Sequence, residues 1–222
     1  MKKELHLQID NDKKTMFAID PLSSHRQYNY LMEVGYINTS LNTSIIDLTQ
    51  PLDILWKNLR KSYKSLINNG KKKFEIEIVD SKNLNREAHE EYRRLHHKTS
   101  GKVTRIHETW EFQYKMVEND YAILVGLKDN GKYIAFSYFY HHNGGIYYGS
   151  SSDDPDYKTV IPIEHTIIWS AISYYKKRGF ILFNIGHLYF GSQMYSFPNK
   201  KDLSISFFKR GFGGKLKTYH RG

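Results

Sequence analysis

The stretch that decides the fold is YAILVGLKDNGKYIAFSYFYHHNGGIYYGS, residues 121–150. It contains three apolar runs, each of a length typical of β-strands. The runs are Tyr121–Leu127, Tyr133–His142 and Ile146–Ser150. Asn130-Gly131 separates the first two runs, and such pairs form tight hairpins because both residues accept a positive φ. Asn143-Gly144-Gly145 separates the second run from the third. The stretch therefore predicts an antiparallel meander of three strands.

The chain after the meander predicts a helix, a strand, a short helix and a last strand. Apolar residues at helical spacing run from Ile163 to Lys177, and Gly179 can end that helix. Phe180–Ile185 follows as an apolar strand. The remaining two elements are Leu203–Lys209, stopped by Gly211, and Gly214–Tyr219.

The chain before the meander is mostly helical by its spacing. One helix is expected over Pro51–Asn69, with Thr49 as its cap and Gly70 at its end. The alternating run Phe74–Ile78 predicts a half-buried strand. Two more helices are expected at Leu84–Leu95, closing near Ser100-Gly101, and at Trp110–Val117, capped by Thr109. Residues 5–48 predict only short strands and one helix around His25–Val34.

This order predicts the α+β class, with a central mixed, mostly antiparallel sheet flanked by helices. Two parts are expected: residues 1–48 as a reduced N-terminal piece, and residues 49–222 as the main domain.

Composition narrows the function classes. The 222 residues include no cysteine, which excludes a disulfide scaffold, a cysteine-bound zinc site and thiol catalysis. The net charge of +10 favours anionic partners such as nucleic acid or phosphorylated substrates. No apolar segment predicts a signal peptide or a membrane span, so a cytoplasmic protein is expected. The pairs His96-His97 and His141-His142 lack metal-ligand spacing, so no metal is expected.

Four motifs carry a resemblance to a known family. They are Leu55–Ile67, Gly131–Ala135, the block Ile163–Gly179 with Phe183-Asn184-Ile185-Gly186, and Phe207-Phe208-Lys209-Arg210-Gly211-Phe212-Gly213-Gly214. In this order, over residues 45–216, they resemble the FemAB-like members of the GNAT acyltransferase superfamily.

The resemblance implies a GNAT-like fold and transfer of an acyl or aminoacyl group to an amine. The expected acceptor is an anionic phosphorylated cell-envelope precursor, a nucleotide-sugar or lipid-linked molecule, or an amino sugar. No cofactor is expected to be bound; the activated donor, aminoacyl-tRNA or acyl-CoA, would be a co-substrate. Peptidoglycan and surface-polysaccharide synthesis are the implied settings, with tRNA as a further partner, no DNA, and the inner membrane surface as an alternative location.

Two features depart from the family. Full-length members carry two such domains, whereas this chain has one and a reduced N-terminal piece. The position of the glycine-rich acetyl-CoA loop is occupied by Asp154–Pro162, which contains no glycine. A loop without glycine gives backbone amides poor access to a pyrophosphate, which argues against ordinary acetyl-CoA use.

The catalytic candidates combine this resemblance with acyl-transfer chemistry. They are Lys209, Phe208, Asp154 and Tyr148. Lys209 and Phe208 match the terminal motif, where a cation could stabilise an oxyanion or a phosphate. Asp154 could take the proton of the amine, with helix capping as the alternative. Tyr148 could line the cleft and offer its hydroxyl.

The substrate-binding candidates are mostly charged. They are Arg60, Lys61, Lys64, Lys102, Arg105, Asp156, Glu164 and His165. The first three are expected within one helical turn, where they could grip phosphates, and a solvated helix face is the alternative. His165, next to Glu164, could act as a base because its pKa lies near the working range.

Three functions remain open at this level. The first is aminoacyl or acyl transfer by direct attack in a ternary complex, without a covalent enzyme intermediate. The second is a conventional acyl-CoA-dependent N-acyltransferase acting on a nucleotide-linked amino sugar. The third is a basic RNA-binding module without catalysis, which would show binding that falls steeply with salt and no turnover.

Overall fold

The computed structural model describes residues 18–19, 33–35, 41–192 and 197–221. The chain divides into two compact units. The larger unit comprises residues 45–186 and 210–215, and the smaller unit comprises residues 1–44, 187–209 and 216–222. The helix expected around His25–Val34 lies mostly outside the described residues, and the boundary expected at residue 48 stays a prediction.

Eight strands and six helices are named here in chain order. The strands are β1 (Ala18–Ile19), β2 (Leu41–Asp47), β3 (Glu75–Val79), β4 (Ala122–Asp129), β5 (Lys132–His142), β6 (Gly145–Asp153), β7 (Leu182–Leu188) and β8 (Lys215–Arg221). The helices are α1 (Leu52–Lys57), α2 (Lys61–Lys73), α3 (Arg86–Ser100), α4 (His107–Glu118), α5 (Ile163–Lys177) and α6 (Lys200–Arg210).

The meander predicted from residues 121–150 is confirmed. Strand β4 pairs antiparallel with β5, and β5 pairs antiparallel with β6. Asn130 and Gly131 have φ values of 52° and 76°, as a tight hairpin requires. Strand β3 adds antiparallel to β4, and β7 adds parallel to β6 after the crossover through α5. The sheet is therefore mixed and mostly antiparallel, as predicted.

The single helix expected over Pro51–Asn69 is wrong, because two helices replace it. Helix α1 ends at Lys57, and Arg60 before α2 is extended, with ψ of 135°. The backbone N–H of Arg60 donates to the carbonyl of Gly211 at 2.8 Å. The backbone N–H at the break is therefore bonded to a segment about 150 residues away in the sequence, and helical periodicity cannot predict that bond.

Local helix ends also differ from expectation. Thr49 does not cap α1; its N–H and hydroxyl bond Asp47, and Pro51 is the N-cap residue. Thr109 lies inside α4, which begins two residues earlier. Gly70 lies inside α2, where an added Cβ would stand 1.9 Å from Oγ1 of Thr166. Gly70 therefore permits close packing of α2 on α5 rather than ending the helix.

Adjacent residues of β5 show which helices cover each face of the sheet. The hydroxyl of Tyr138 bonds Nδ1 of His89 on α3 at 2.7 Å. The hydroxyl of Ser137 bonds Glu164 on α5. Since successive side chains of a strand point to opposite faces, α3 and α5 lie on opposite sides of the sheet. No helix in the described part of the chain is long and apolar enough to cross a membrane.

We expect the free energy of unfolding to fall as the pH drops from 7 to 5. Burial lowers the pKa of the fully buried His89 to about 4, and burial with Arg60 does the same for His165. Unfolded histidine titrates near 6.5, so over this range the unfolded chain binds more protons. Each histidine therefore removes roughly 2 kcal/mol of stability between these pH values.

Urea titrations at several pH values would measure this dependence. The matched variant is His89→Gln, which cannot titrate and should show a shallower slope against pH than the parent chain. Parallel slopes for the two chains would contradict a neutral, buried His89.

Candidate functional site

Strands β6 and β7 separate soon after they pair. Their parallel pairing covers Gly145–Tyr147 against Leu182–Asn184 and ends there. Tyr148–Asp153 and Ile185–Gly186 follow the last residues of this register. Crevices at the carboxyl ends of parallel strands, beside a helix that joins them, are common ligand sites in open sheets. We call the region beyond the last paired residues of β6 and β7 the strand gap.

A β-bulge shapes the strand gap. Tyr138 pairs with Ser150 and Phe139 pairs with Tyr148, so Gly149 is an extra residue on β6. A Cβ at Gly149 would lie 2.3 Å from Cε2 of Tyr140, so only glycine fits the observed packing. Bulges re-aim side chains and interrupt the ladder of hydrogen bonds. Here the bulge turns Tyr148 towards α5 and Ser150 towards Tyr92 of α3.

Glu164 lies at the root of the strand gap, in the first turn of α5. Its Oε1 accepts hydrogen bonds from the hydroxyl of Ser137 at 2.6 Å and from that of Tyr148 at 2.7 Å. Burial, and then the negative charge of Glu164, raise the pKa of Tyr148 well above its usual range. Tyr148 therefore stays protonated as a donor to the carboxylate.

An aromatic and cationic group adjoins this cluster. The ring of Tyr63 packs edge-on against His165, with centroids 4.2 Å apart, and also against Phe212. The guanidinium of Arg60 lies 5.0 Å over the Tyr63 ring and donates to its hydroxyl at 3.1 Å. Burial, with a smaller effect of Arg60, lowers the pKa of His165 to about 4, so its imidazole is neutral at pH 7.

The structure brings four of the predicted site residues together. They are Tyr148, Glu164, His165 and Arg60. Ser137 and Tyr63 join them but were not among the candidates. Ser137 stands inside the apolar run of β5, where a lone polar residue is the signal that could have revealed it. Tyr63 gives no such signal, because its spacing also fits a core position.

Asp154 and Asp156 lie elsewhere. Asp154 is six residues beyond Tyr148, roughly 20 Å along a strand. Lys98 of α3 contacts the carboxylates of both residues, at 2.5 Å and 2.6 Å. Lys98 also lowers the pKa of Asp154. The contact with Lys98 joins Asp154, which lies in the loop after β6, to helix α3. The catalytic role of Asp154 stays a prediction.

The basic candidates are spread over several elements. Arg60 precedes α2 in an extended conformation, so it does not share one helical turn with Lys61 and Lys64 as expected. Arg105 stacks 4.8 Å over Trp110, and Lys102 is exposed in the loop before α4. Their roles in substrate binding stay predictions.

The last two candidates belong to the smaller unit. Phe208 and Lys209 lie on α6, which was predicted as a helix and is slightly longer than expected. The ammonium of Lys209 donates to the carbonyl of His187 at 3.5 Å within this unit. Their catalytic role stays a prediction.

Solved structures of other proteins share this fold. FemX aligns with a TM-score of 0.61 and 14% identity, covering 92% of this chain and 65% of its own. L-PGS from Bacillus licheniformis aligns at 0.60 and 14%, covering 88% of this chain and 64% of its own. A GCN5-related glucosamine N-acetyltransferase region of a fungal multi-domain protein aligns at 0.51 and 13%, covering 92% of this chain and 23% of its own.

These likenesses confirm the predicted GNAT-like fold. The chain spans less than two thirds of the length of FemX and of L-PGS. No protein-family model matches the chain, and no curated protein sequence matches it.

Proposed function

We propose that this protein transfers an aminoacyl or acyl group from an activated donor to an amine of a cell-envelope precursor or amino sugar. The observation that carries the proposal is the Glu164 cluster at the root of the strand gap. The shared fold supports it, because FemX and L-PGS have the same architecture. The sequence motifs that resemble FemAB-like proteins point to the same chemistry.

The proposed reaction is direct attack. The amine nitrogen of the acceptor forms a bond to the carbonyl carbon of the donor ester, and the carbon–oxygen bond to the carrier breaks. Glu164 accepts the proton that the amine loses and then gives it to the departing oxygen, so the carrier leaves with a free hydroxyl. Ser137 and Tyr148 hold the carboxylate in one orientation, which favours proton transfer through fixed geometry.

The developing oxyanion needs hydrogen-bond donors near the carbonyl. We propose that backbone N–H groups at the exposed bulge of Gly149, next to Tyr148, are these donors in the larger unit. No covalent intermediate on the protein is needed, in keeping with a chain that contains no cysteine.

An aminoacyl ester is the favoured donor over acyl-CoA. Helix N-termini attract phosphates, but the first turn of α5 already contains the carboxylate of Glu164. The segment before it, Asp154–Pro162, has no glycine, and Pro162 offers no backbone N–H. A pyrophosphate placed there would meet a negative charge and few amide donors.

A transfer assay with two donors tests the proposal. Purified protein would be incubated with tRNA carrying labelled amino acids, or with labelled acetyl-CoA, and with nucleotide-linked muropeptides or amino sugars as acceptors. We expect label on the acceptor amine only with charged tRNA, seen as a mass increase of one aminoacyl residue. Transfer from acetyl-CoA would favour the conventional N-acyltransferase, and no transfer from either donor would contradict the proposal.

A further inference from the structure

A cavity lies between helix α3 and the hairpin of β4 and β5. It encloses about 670 Å³, a volume within the range of small-molecule binding sites. The wall formed by α3 is lined by Glu87, Glu90 and Glu91, and the wall formed by the hairpin is lined by Lys128 and Lys132. We call this space the α3 cavity. Because α3 and α5 cover opposite faces of the sheet, the α3 cavity is separate from the candidate functional site.

Hydrogen bonds fix the two walls of the α3 cavity relative to each other. The carboxylate of Glu77, on β3, accepts a hydrogen bond of 2.7 Å from the hydroxyl of Tyr133 on the hairpin. It accepts another of 2.7 Å from the side-chain amide of Asn85, the N-cap residue of α3. The ammonium of Lys128 pairs with the same carboxylate at 2.7 Å. The cavity is therefore preformed, and little ordering of the protein would oppose the binding of a ligand.

Most of the charges that line the α3 cavity are paired within the protein. The guanidinium of Arg94 donates to both carboxylate oxygens of Glu91, at 2.8 Å and 2.7 Å. The guanidinium of Arg93 pairs with Glu90 at 3.0 Å. Since Lys128 is paired with Glu77 as well, these side chains offer little uncompensated charge to a ligand.

Two opposite charges on the walls have no comparable partner. In the part of the chain that the structure describes, no cation forms an ion pair with Glu87, which is exposed in the first turn of α3. The side chain of Lys132 is 70% exposed, and its ammonium lies 3.7 Å from Asp154. Lys98 contacts the carboxylate of Asp154 more closely, at 2.5 Å. The cavity therefore offers one carboxylate from α3 and one ammonium from the hairpin.

The charge of Lys132 acts across the cavity on helix α3. Hydrogen bonding to Arg94 lowers the pKa of Glu91, and the charge of Lys132 lowers it further. The ammonium of Lys132 therefore lies near the helix wall. Glu87 and Glu91 are four residues apart, which places them one turn apart on the same face of α3. One small ligand can therefore reach both Glu87 and Lys132.

We propose that the α3 cavity binds a small zwitterion of the α-amino-acid class, a free amino acid or a dipeptide. The ammonium of the ligand pairs with Glu87, and its carboxylate pairs with Lys132. A ligand with a single charge would leave the opposite charge of the cavity without a partner. Because the cavity and the Glu164 cluster lie on opposite faces of the sheet, this proposal does not rest on the proposed function.

The test uses three dipeptide probes that differ only in their terminal charges. Alanyl-alanine carries both charges, N-acetyl-alanyl-alanine lacks the ammonium, and alanyl-alanine amide lacks the carboxylate. Dissociation constants for the full chain would be measured by amide chemical-shift titration at pH 7 and low salt, because salt screens exposed charges. We expect alanyl-alanine to bind roughly twofold to fivefold more tightly than either blocked probe, as the loss of one exposed ion pair predicts.

Single variants assign each charge of the ligand to its residue. Glu87→Gln should bind alanyl-alanine and N-acetyl-alanyl-alanine equally well, because the ammonium no longer has a partner. Lys132→Gln should bind alanyl-alanine and its amide equally well, because the carboxylate no longer has one. The matched controls are Glu118→Gln and Lys115→Gln, at exposed positions on α4, and they should keep the preferences of the parent chain.

Equal binding of the three probes to the parent chain would overturn the proposal, and so would the absence of measurable binding by any probe. If the control variants lose the same preferences as Glu87→Gln and Lys132→Gln, net charge alone attracts the probes and the proposal is wrong. None of these measurements involves turnover. A protein that binds the zwitterion but transfers no aminoacyl group would therefore contradict only the proposed function.

Discussion

Replacing Glu164 with glutamine should reduce aminoacyl transfer by about 10²- to 10⁴-fold while leaving the fold intact. The amide oxygen of glutamine can still accept the hydrogen bonds that Ser137 and Tyr148 donate to Glu164. The variant therefore keeps the shape of the cluster and loses the negative charge that takes up the proton. The measurement is the rate of transfer at saturating donor, with the melting temperature recorded alongside.

The matched control for this prediction is Glu118→Gln. Glu118 is exposed at the end of α4, so its loss should leave both transfer and melting temperature close to the parent values. A Glu164→Gln variant that transfers at the parent rate would remove the carboxylate from the proposed mechanism. A variant that loses activity together with a large fall in melting temperature would make Glu164 structural, and Tyr148→Phe would then show whether the cluster matters to catalysis.

Most of the larger unit was predictable because the residues within each helix, strand or turn are enough to indicate it. The hairpin at Asn130-Gly131 follows from two residues that accept a positive φ, and α5 follows from apolar spacing closed by Gly179. The break between α1 and α2 was not predictable in this way. It depends on the bond from Arg60 to Gly211, which joins residues about 150 positions apart.

The candidate site was only partly predictable for the same reason. Glu164, His165 and Tyr148 stood out as polar residues at a helix start and on a strand beside a loop. Ser137 joins them because the side chains of β5 alternate between the two faces of the sheet, which places Ser137 on the face of Glu164. The bulge at Gly149 decides to which face Tyr148 points. Asp154 stood out equally well by sequence, yet Lys98, which sequence spacing does not pair with it, contacts its carboxylate. Which charged residues meet is a property of the folded chain.

Replacing Gly211 with alanine should lower both transfer activity and stability, and this is the second large effect we expect. A Cβ at Gly211 would lie 2.3 Å from Cε2 and Cζ of Tyr63. Tyr63 is only 4% exposed and packs between His165 and Phe212, so its ring has little room to move. Overpacking of this kind costs about 1–3 kcal/mol. Displacement beside the site should reduce transfer by roughly 10²-fold.

The control for this prediction is Gly191→Ala, since an added Cβ there meets no atom of the described residues within 4 Å. The measurements are the free energy of unfolding in urea and the transfer rate at a temperature where both variants are fully folded. That condition separates the two effects, because lost stability alone cannot slow a folded population. Normal transfer by folded Gly211→Ala would mean that the Tyr63–His165 contact serves packing only, and the proposed site would shrink to Glu164, Tyr148 and Ser137. Slow transfer would show that the segment at Gly211 holds the Tyr63 ring in place and that this ring sets the geometry of the site.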